Sequence, residues 1–274
     1  MRIIPRKSKI AVLDLIGSIE RGSGTTNLIN TLNELRDDSK IKAVVLNIDC
    51  AGGDAAASNS LYLATCKLTE KKPTIAYING LAASGGYMVS AATTRIIAMP
   101  GSFVGSIGVI TATIQAHELL DALGVHFAIS KSAPLKDMGA FYREMTEEEK
   151  QKEQSFVNSF NDYFVSIVAK GRKMEDSKVR DLATGEMFLA ETAKDLGLID
   201  ELSDLEDTLD EACKLGNVSK KRTHYITPKK GLLQRWLLGA SIHSSEQPTV
   251  EANYTIRQQT PASLLDDYRL RLRL

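Results

Sequence analysis

The chain has 274 residues, 43% of them apolar and 25% charged, with 34 basic and 34 acidic side chains. That length buries a sizeable core in one large domain or two small ones, and a net charge of zero removes any global pull toward nucleic acid or an anionic membrane. No apolar run approaches the roughly 20 residues of a transmembrane helix, and the N-terminal run is broken by Asp14, so it reads as the lead-in to a strand, not a signal peptide. Cys50, Cys66 and Cys213 fit neither a zinc site nor a disulfide framework, and so sparse and odd a set suits a reducing compartment.

In chain order, "KIAVLDLIGSI" (9–19) predicts a first strand, and "TTNLINTLNELRDD" spaces Leu28, Ile29, Leu32 and Leu35 as an amphipathic helix. "IKAVVLNID" is a nearly all-apolar strand buried on both faces, broken by "CAGGDAAA", with a helix following to about residue 70. "TIAYIN" reads as a strand, the segment after Ser84 as a helix and "RIIAM" as a strand. This β/α alternation predicts a mainly parallel sheet wound with helices. "PGSFVGSIGVIT" reads as loop and short strand, "AHELLDALG" as a short helix closed by Gly124, and "VHFAIS" as a strand in which His126 packs. Thr146 and Glu149 form a capping box that opens a helix to about Lys170, with Phe156, Phe160, Tyr163, Phe164 and Ile167 on one face. "AETAKDLGLID" is a helix ended at Gly197 and then a strand, and "DLEDTLDEACKLG" a further helix. Residues 1–217 are thus read as one α/β domain. Residues 218–274 are read as a loop-like extension, with one basic amphipathic stretch around Trp236.

Ser84 stands in "GLAASGGYMVSAATT", at a strand-to-helix junction flanked by small residues. A serine hydroxyl is a weak nucleophile until a base takes its proton. The free N–H groups of a helix start suit an acyl oxyanion, and flanking Ala and Gly let a substrate backbone come close. The ordinary reading is a helix N-cap beside a packing contact. A second glycine turn, Gly52–Gly53, also follows a strand, and sites in wound sheets gather at strand carboxyl ends, so the two turns are candidates for one edge. None of His117, His126, His224 and His243 has a catalytic setting, so a Ser-His-Asp triad has little support. A neutral lysine serves instead where burial lowers its pKa. Lys131 and Lys136 both qualify by position, and surface solvation is the ordinary role of each.

The motifs "GLAASGGYMVSAA", "GSFVGSIGVI", "ISKSAPLKDMGAFYREMTEEE" and "ATGEMFLAETAKDLGLIDEL" follow one another in the order seen in a known family. From about residue 9 to 215 the chain resembles signal peptide peptidase A, a bacterial serine peptidase of the Clp/crotonase-like fold with a Ser-Lys dyad. The resemblance implies a mainly parallel wound sheet with surrounding helices. It puts Ser84 in the nucleophile's place, Lys136 (not Lys131) in the general base's, and Ser106 where it orients the lysine. It implies an oxyanion hole of the Gly53 and Gly85 N–H groups. The family's usual Ser-Pro-Gly-Gly is here Cys50-Ala51-Gly52-Gly53, which keeps both glycines and loses the proline that presets the turn.

The implied activity is hydrolysis of unfolded or apolar peptides such as remnant signal peptides, without cofactor or metal, falling at low pH as the lysine base becomes charged. The implied assembly is a ring-like homo-oligomer with each dyad completed between neighbouring protomers. The family's usual members are membrane-tethered. No anchor is visible in this chain, so the expected location is cytoplasmic or membrane-associated. The extension is expected near the active-site grooves as a processed tail or a plug, and its basic stretch on its own oligomer or a membrane surface. The alternatives are a non-catalytic oligomeric scaffold that keeps the fold, an acyl-CoA enzyme of the crotonase type, and a stomatin-partner protease with a similar dyad.

Overall fold

A computed structural model describes residues 9–218 and 223–226, all within one compact unit. The expectations for the Trp236 stretch and the C-terminal tail lie outside the described residues.

Eight strands make one sheet. β1 (Ile10–Ile19), β2 (Ala43–Gly53) and β3 (Thr74–Ala83) are its parallel centre. The first four residues of each strand (IAVL, AVVL and TIAY) are buried on both faces, as expected for a sheet covered on both sides. α1 (Ser23–Asp37) and α2 (Ala55–Thr69) make the crossovers. Leu32, Leu35, Leu61 and Leu68 from these helices enter the larger core cluster, and a second cluster fills the opposite face.

β3 has two different neighbours along one flank. β4 (Arg95–Ala98) pairs with Ile75–Ile78, and β5 (Phe103–Gly105) pairs with Leu81–Ala83. The strand therefore outruns β4 and delivers its end, with Ser84, beside β5. β6 (Met187–Leu189) pairs antiparallel with β5, and β7 (Glu201–Leu202) extends β4. β8 (Thr223–Ile226) adds to the outer side of β1, so a segment expected to be loop-like is an edge strand. Only Ile226 of its four residues is buried, which leaves little apolar signal in the sequence.

α3 (Gly85–Ser90) follows β3 directly and is wholly buried, with the Tyr87 hydroxyl donating to the Leu198 carbonyl at 2.8 Å. α5 (Glu147–Arg172) opens on the expected capping box and buries Phe164, Val165, Ile167 and Val168 at its far end. α6 (Asp176–Leu182), α7 (Ala190–Asp195) and α8 (Leu205–Leu215) complete the cover.

Between β5 and α5 the chain runs as an arm. It holds α4 (His117–Ala122) and a 3-10 turn, Pro134–Asp137. From Ile110 to Glu144 no residue is buried. "VHFAIS" is not a strand here, because no strand among the described residues offers it hydrogen bonds, and the His126 side chain is 77% exposed, not packed. No helix among the described residues is long and apolar enough to cross a membrane.

Candidate active site

Two glycine turns and one serine meet at the carboxyl ends of β2 and β3. β2 does not break at Cys50, as the sequence suggested. It continues through Gly53 after a register shift between Ile48 and Cys50, so Cys50 pairs with Ala82. The following Asp54 caps α2 by accepting the Ala57 N–H at 2.9 Å, which with Arg21 holds its carboxyl below the usual carboxylate range.

This close approach requires glycine. Gly52 has φ +86°, and a Cβ there would stand 2.6 Å from the Gly85 nitrogen and 2.9 Å from the Ser84 Cβ. Gly53 has φ +147°, and its Cβ would run into the Ile19 carbonyl oxygen. The Cys50 sulfur accepts the Gly52 N–H at 3.4 Å, a restraint within the turn that lacks the family's proline. Burial pushes the Cys50 thiol up, so it stays protonated and is no rival nucleophile.

Ser84 sits at the N-cap of α3 with φ 49° and ψ −119°, a backbone that L-residues rarely adopt. Its hydroxyl makes no capping hydrogen bond, so the ordinary N-cap role is not the one it plays. Its N–H donates to the Gly105 carbonyl at 2.9 Å, which locks the turn onto β5. Strain held in this way is typical of residues whose direction matters more than their stability. The next residue of β5's exit, Ser106, also has positive φ (48°), and its N–H donates to the Glu186 carbonyl at 2.7 Å.

Ser84, Gly85, Gly53 and Ser106 line one open groove of about 970 Å³. Met88 and, from α5, Val157, Phe160 and Phe164 form an apolar part of its wall. Arg21, Asp54, Asn158 and Asn161 form a polar part. The structure thus brings together four of the five residues singled out from the sequence. Lys136 is the fifth, and it does not line this groove: it lies exposed in the 3-10 turn of the arm. Lys131 is engaged elsewhere, its Nζ donating to Asp137 Oδ1 at 2.7 Å and to the Pro134 carbonyl at 3.0 Å. Sequence reasoning missed the wall supplied by α5. Phe160 and Phe164 belong to the helical face read from the sequence, but Val157 does not, and nothing marked which cavity that face would meet.

Known proteins resemble this chain in sequence and in fold. Residues 66–219 match the model of peptidase family S49. A protein of Methanocaldococcus jannaschii named as a candidate protease is 38% identical over 191 residues, covering 70% of this chain and 61% of that one. A Synechocystis protein named likewise is 32% identical over 237 residues, covering 86% of this chain and 85% of its own length. Protease 4 of Salmonella typhi is 30% identical over 232 residues, of which this chain spans 37% of the length. Among solved structures, a serine-to-alanine mutant of a membrane-bound stomatin-specific protease superposes with a TM-score of 0.56 at 16% identity, over 82% of this chain and all of that one. A lysine-to-alanine mutant of that protease, in complex with a substrate peptide, gives 0.55 at 14%. At such identity these two likenesses concern the fold, which is the α/β Clp/crotonase-like fold expected from the motifs. A family model matched over more than half the chain, and a relative matched over most of its length, lead to one conclusion: the chain belongs to peptidase family S49.

Proposed function

We propose that this chain is a serine endopeptidase of the signal peptide peptidase A type, with Ser84 as nucleophile and Lys136 as general base. The observation that carries the reading is the strained Ser84, uncapped and directed into a groove beside the two turns whose N–H groups belong to Gly53 and Gly85. In its uncharged form the Lys136 amine takes the proton from the Ser84 hydroxyl as Oγ attacks the peptide carbonyl. The Gly53 and Gly85 N–H groups hold the oxyanion, and Ser106 orients the amine. The protonated lysine then gives its proton to the leaving amine, and water hydrolyses the acyl-enzyme. Unfolded, apolar peptides such as remnant signal peptides suit the groove, whose wall includes Met88, Val157, Phe160 and Phe164.

Lys136 reaches Ser84 from a neighbouring copy. This part of the proposal is supported by the arm: Ile110, Ile114, Leu119 and Leu123 are 91, 77, 63 and 67% exposed. Burying one such side chain is worth roughly 1.5–3 kcal/mol, so a surface carrying four calls for a partner. A second copy supplies both the cover and a lysine, giving a homo-oligomer with shared sites. The non-catalytic scaffold is the weaker reading, because a scaffold has no use for backbone strain at one serine.

The test is covalent. Wild type incubated with a fluorophosphonate is expected to carry the label on Ser84 by peptide mass spectrometry and to hydrolyse a fluorogenic apolar peptide. Ser84→Ala is expected to do neither. Labelling of another residue, or unchanged hydrolysis by Ser84→Ala, overturns the assignment.

A further inference from the structure

From Ile110 to Glu144 the arm buries no residue, and its aromatic cluster of Phe127, Phe141 and Tyr142 stays half-exposed; segments without a buried core are ordinarily the loosest part of a protein. Yet a general base must be held to within a fraction of an ångström. The arm around Lys136 is fixed instead by a chain of charges. Asp137, the next residue, lies at its centre. Its Oδ1 accepts from Lys131 Nζ and Arg143 Nη2, each at 2.7 Å, and its Oδ2 accepts from Arg143 Nε at 3.0 Å and the Tyr142 hydroxyl at 3.2 Å.

The same two cations also grip the backbone on either side of Lys136. Lys131 Nζ donates to the Pro134 carbonyl at 3.0 Å, and Arg143 Nη2 donates to the Asp137 carbonyl at 3.1 Å. Arg143 then carries the restraint onward. Its Nη1 donates to Glu149 Oε2 at 2.8 Å, and Nη2 reaches Glu149 Oε1. Glu149 is buried and closes the capping box of α5, whose far end is rooted in the core. A continuous path of hydrogen bonds therefore runs from the core, through α5, Glu149, Arg143 and Asp137, to the turn that bears Lys136. Such a bridge suits arginine in particular, because one planar fork spans two carboxylates, whereas a lysine ammonium is a point charge.

We infer that Arg143 and Asp137 are positioning residues for the Lys136 amine, and that Lys131 is a structural cation of the same clamp. The inference rests on the reading of Lys136 as the general base. The clamp acts before any partner arrives: it presents Lys136 as a rigid element to the neighbouring copy's Ser84, so assembly meets a preset base and not a mobile loop.

The test uses the full chain and a fluorogenic apolar peptide. Arg143→Ala is expected to lower kcat roughly tenfold or more, with KM within about twofold, because a misplaced base slows chemistry and not binding. Added guanidinium ion is expected to restore part of the loss, and Arg143→Lys to restore less than wild type. Asp137→Asn leaves the Arg143–Glu149 pair and the α5 cap in place, so it is expected to lose kcat while staying folded by circular dichroism at the assay temperature. Chains are also mixed. Arg143→Ala with Ser84→Ala is expected to recover activity, since the Ser84→Ala chain supplies an intact arm. Arg143→Ala with Lys136→Ala is expected to stay near the Arg143→Ala rate, because clamp and lysine must share one chain. The proposal is overturned if Asp137→Asn and Arg143→Ala both keep wild-type kcat, or if the loss in Arg143→Ala follows unfolding and ignores guanidinium. Wild-type kcat in Lys136→Ala removes the base assignment, and this proposal with it. A dead Lys136→Ala beside a fully active Arg143→Ala removes the clamp alone.

Discussion

At the scale of single residues, the site is built from conformations that cost stability. Ser84 holds φ 49° and ψ −119° where glycine would rest without strain. Ser84→Gly is therefore expected to be inactive and more stable than Ser84→Ala by about 1–3 kcal/mol, read as a higher denaturation midpoint. Equal midpoints would mean that the turn is not strained. Gly53 makes the opposite case. A methyl group there meets the Ile19 carbonyl oxygen, and the +147° φ suits glycine alone. Gly53→Ala is expected to displace one oxyanion donor and lower kcat by roughly 10²–10³-fold. A rate near wild type would take Gly53 out of the oxyanion hole.

At the scale of elements, the sheet puts each turn where it is needed. β3 outruns β4 and pairs its last residues with β5, so Ser84 and Ser106 leave the sheet side by side. The start of α5 is held by charge. Arg143 and the Thr146 N–H hold the Glu149 carboxyl down to about 2, from an ordinary 4.5, and Arg143 with Lys131 holds Asp137 well below the usual carboxylate range. A carboxyl depressed by folding stabilises fully above its unfolded value and loses that contribution as pH falls through its folded one. The wild-type melting temperature is thus expected to drop as pH falls from about 4.5 toward 2, and Glu149→Gln is expected to flatten that part of the curve. A curve unchanged by Glu149→Gln would show the pair to be without weight.

Much of this level was legible in the sequence. The capping box Thr146–Glu149, the α1 face and the alternating strands all follow from local patterns. What escaped it depends on distant partners. Cys50–Gly53 stay in β2 because Gly17–Ile19 of β1 and, at Cys50, Ala82 of β3 are there to pair, and β8 forms because β1 has a free side. "VHFAIS" has strand composition but nothing beside it in one chain.

At the scale of the whole molecule, the groove and the lysine proposed as its base lie on different parts of the chain. The meeting of Ser84 with Gly52–Gly53 could be anticipated, because both turns end parallel strands. Lys136 could be chosen over Lys131 only by resemblance. Lys131 is engaged with Asp137 and Pro134, a fold-back that sequence spacing does not reveal. The apolar arm is the surface on which assembly is argued. Leu119 and Leu123 stand four residues apart at α4, on one face. Replacing both by aspartate is expected to give a smaller species in sedimentation velocity, folded by circular dichroism and inactive. An oligomer of unchanged size would remove this face from the interface.

The central claim is that one copy's Ser84 works with another copy's Lys136. Its most direct test is the activity of Ser84→Ala and Lys136→Ala refolded together, against each alone. Two inactive variants that yield an active mixture are the predicted result. Two inactive variants whose mixture stays inactive, although mixed oligomers are shown to form, would contradict the shared site.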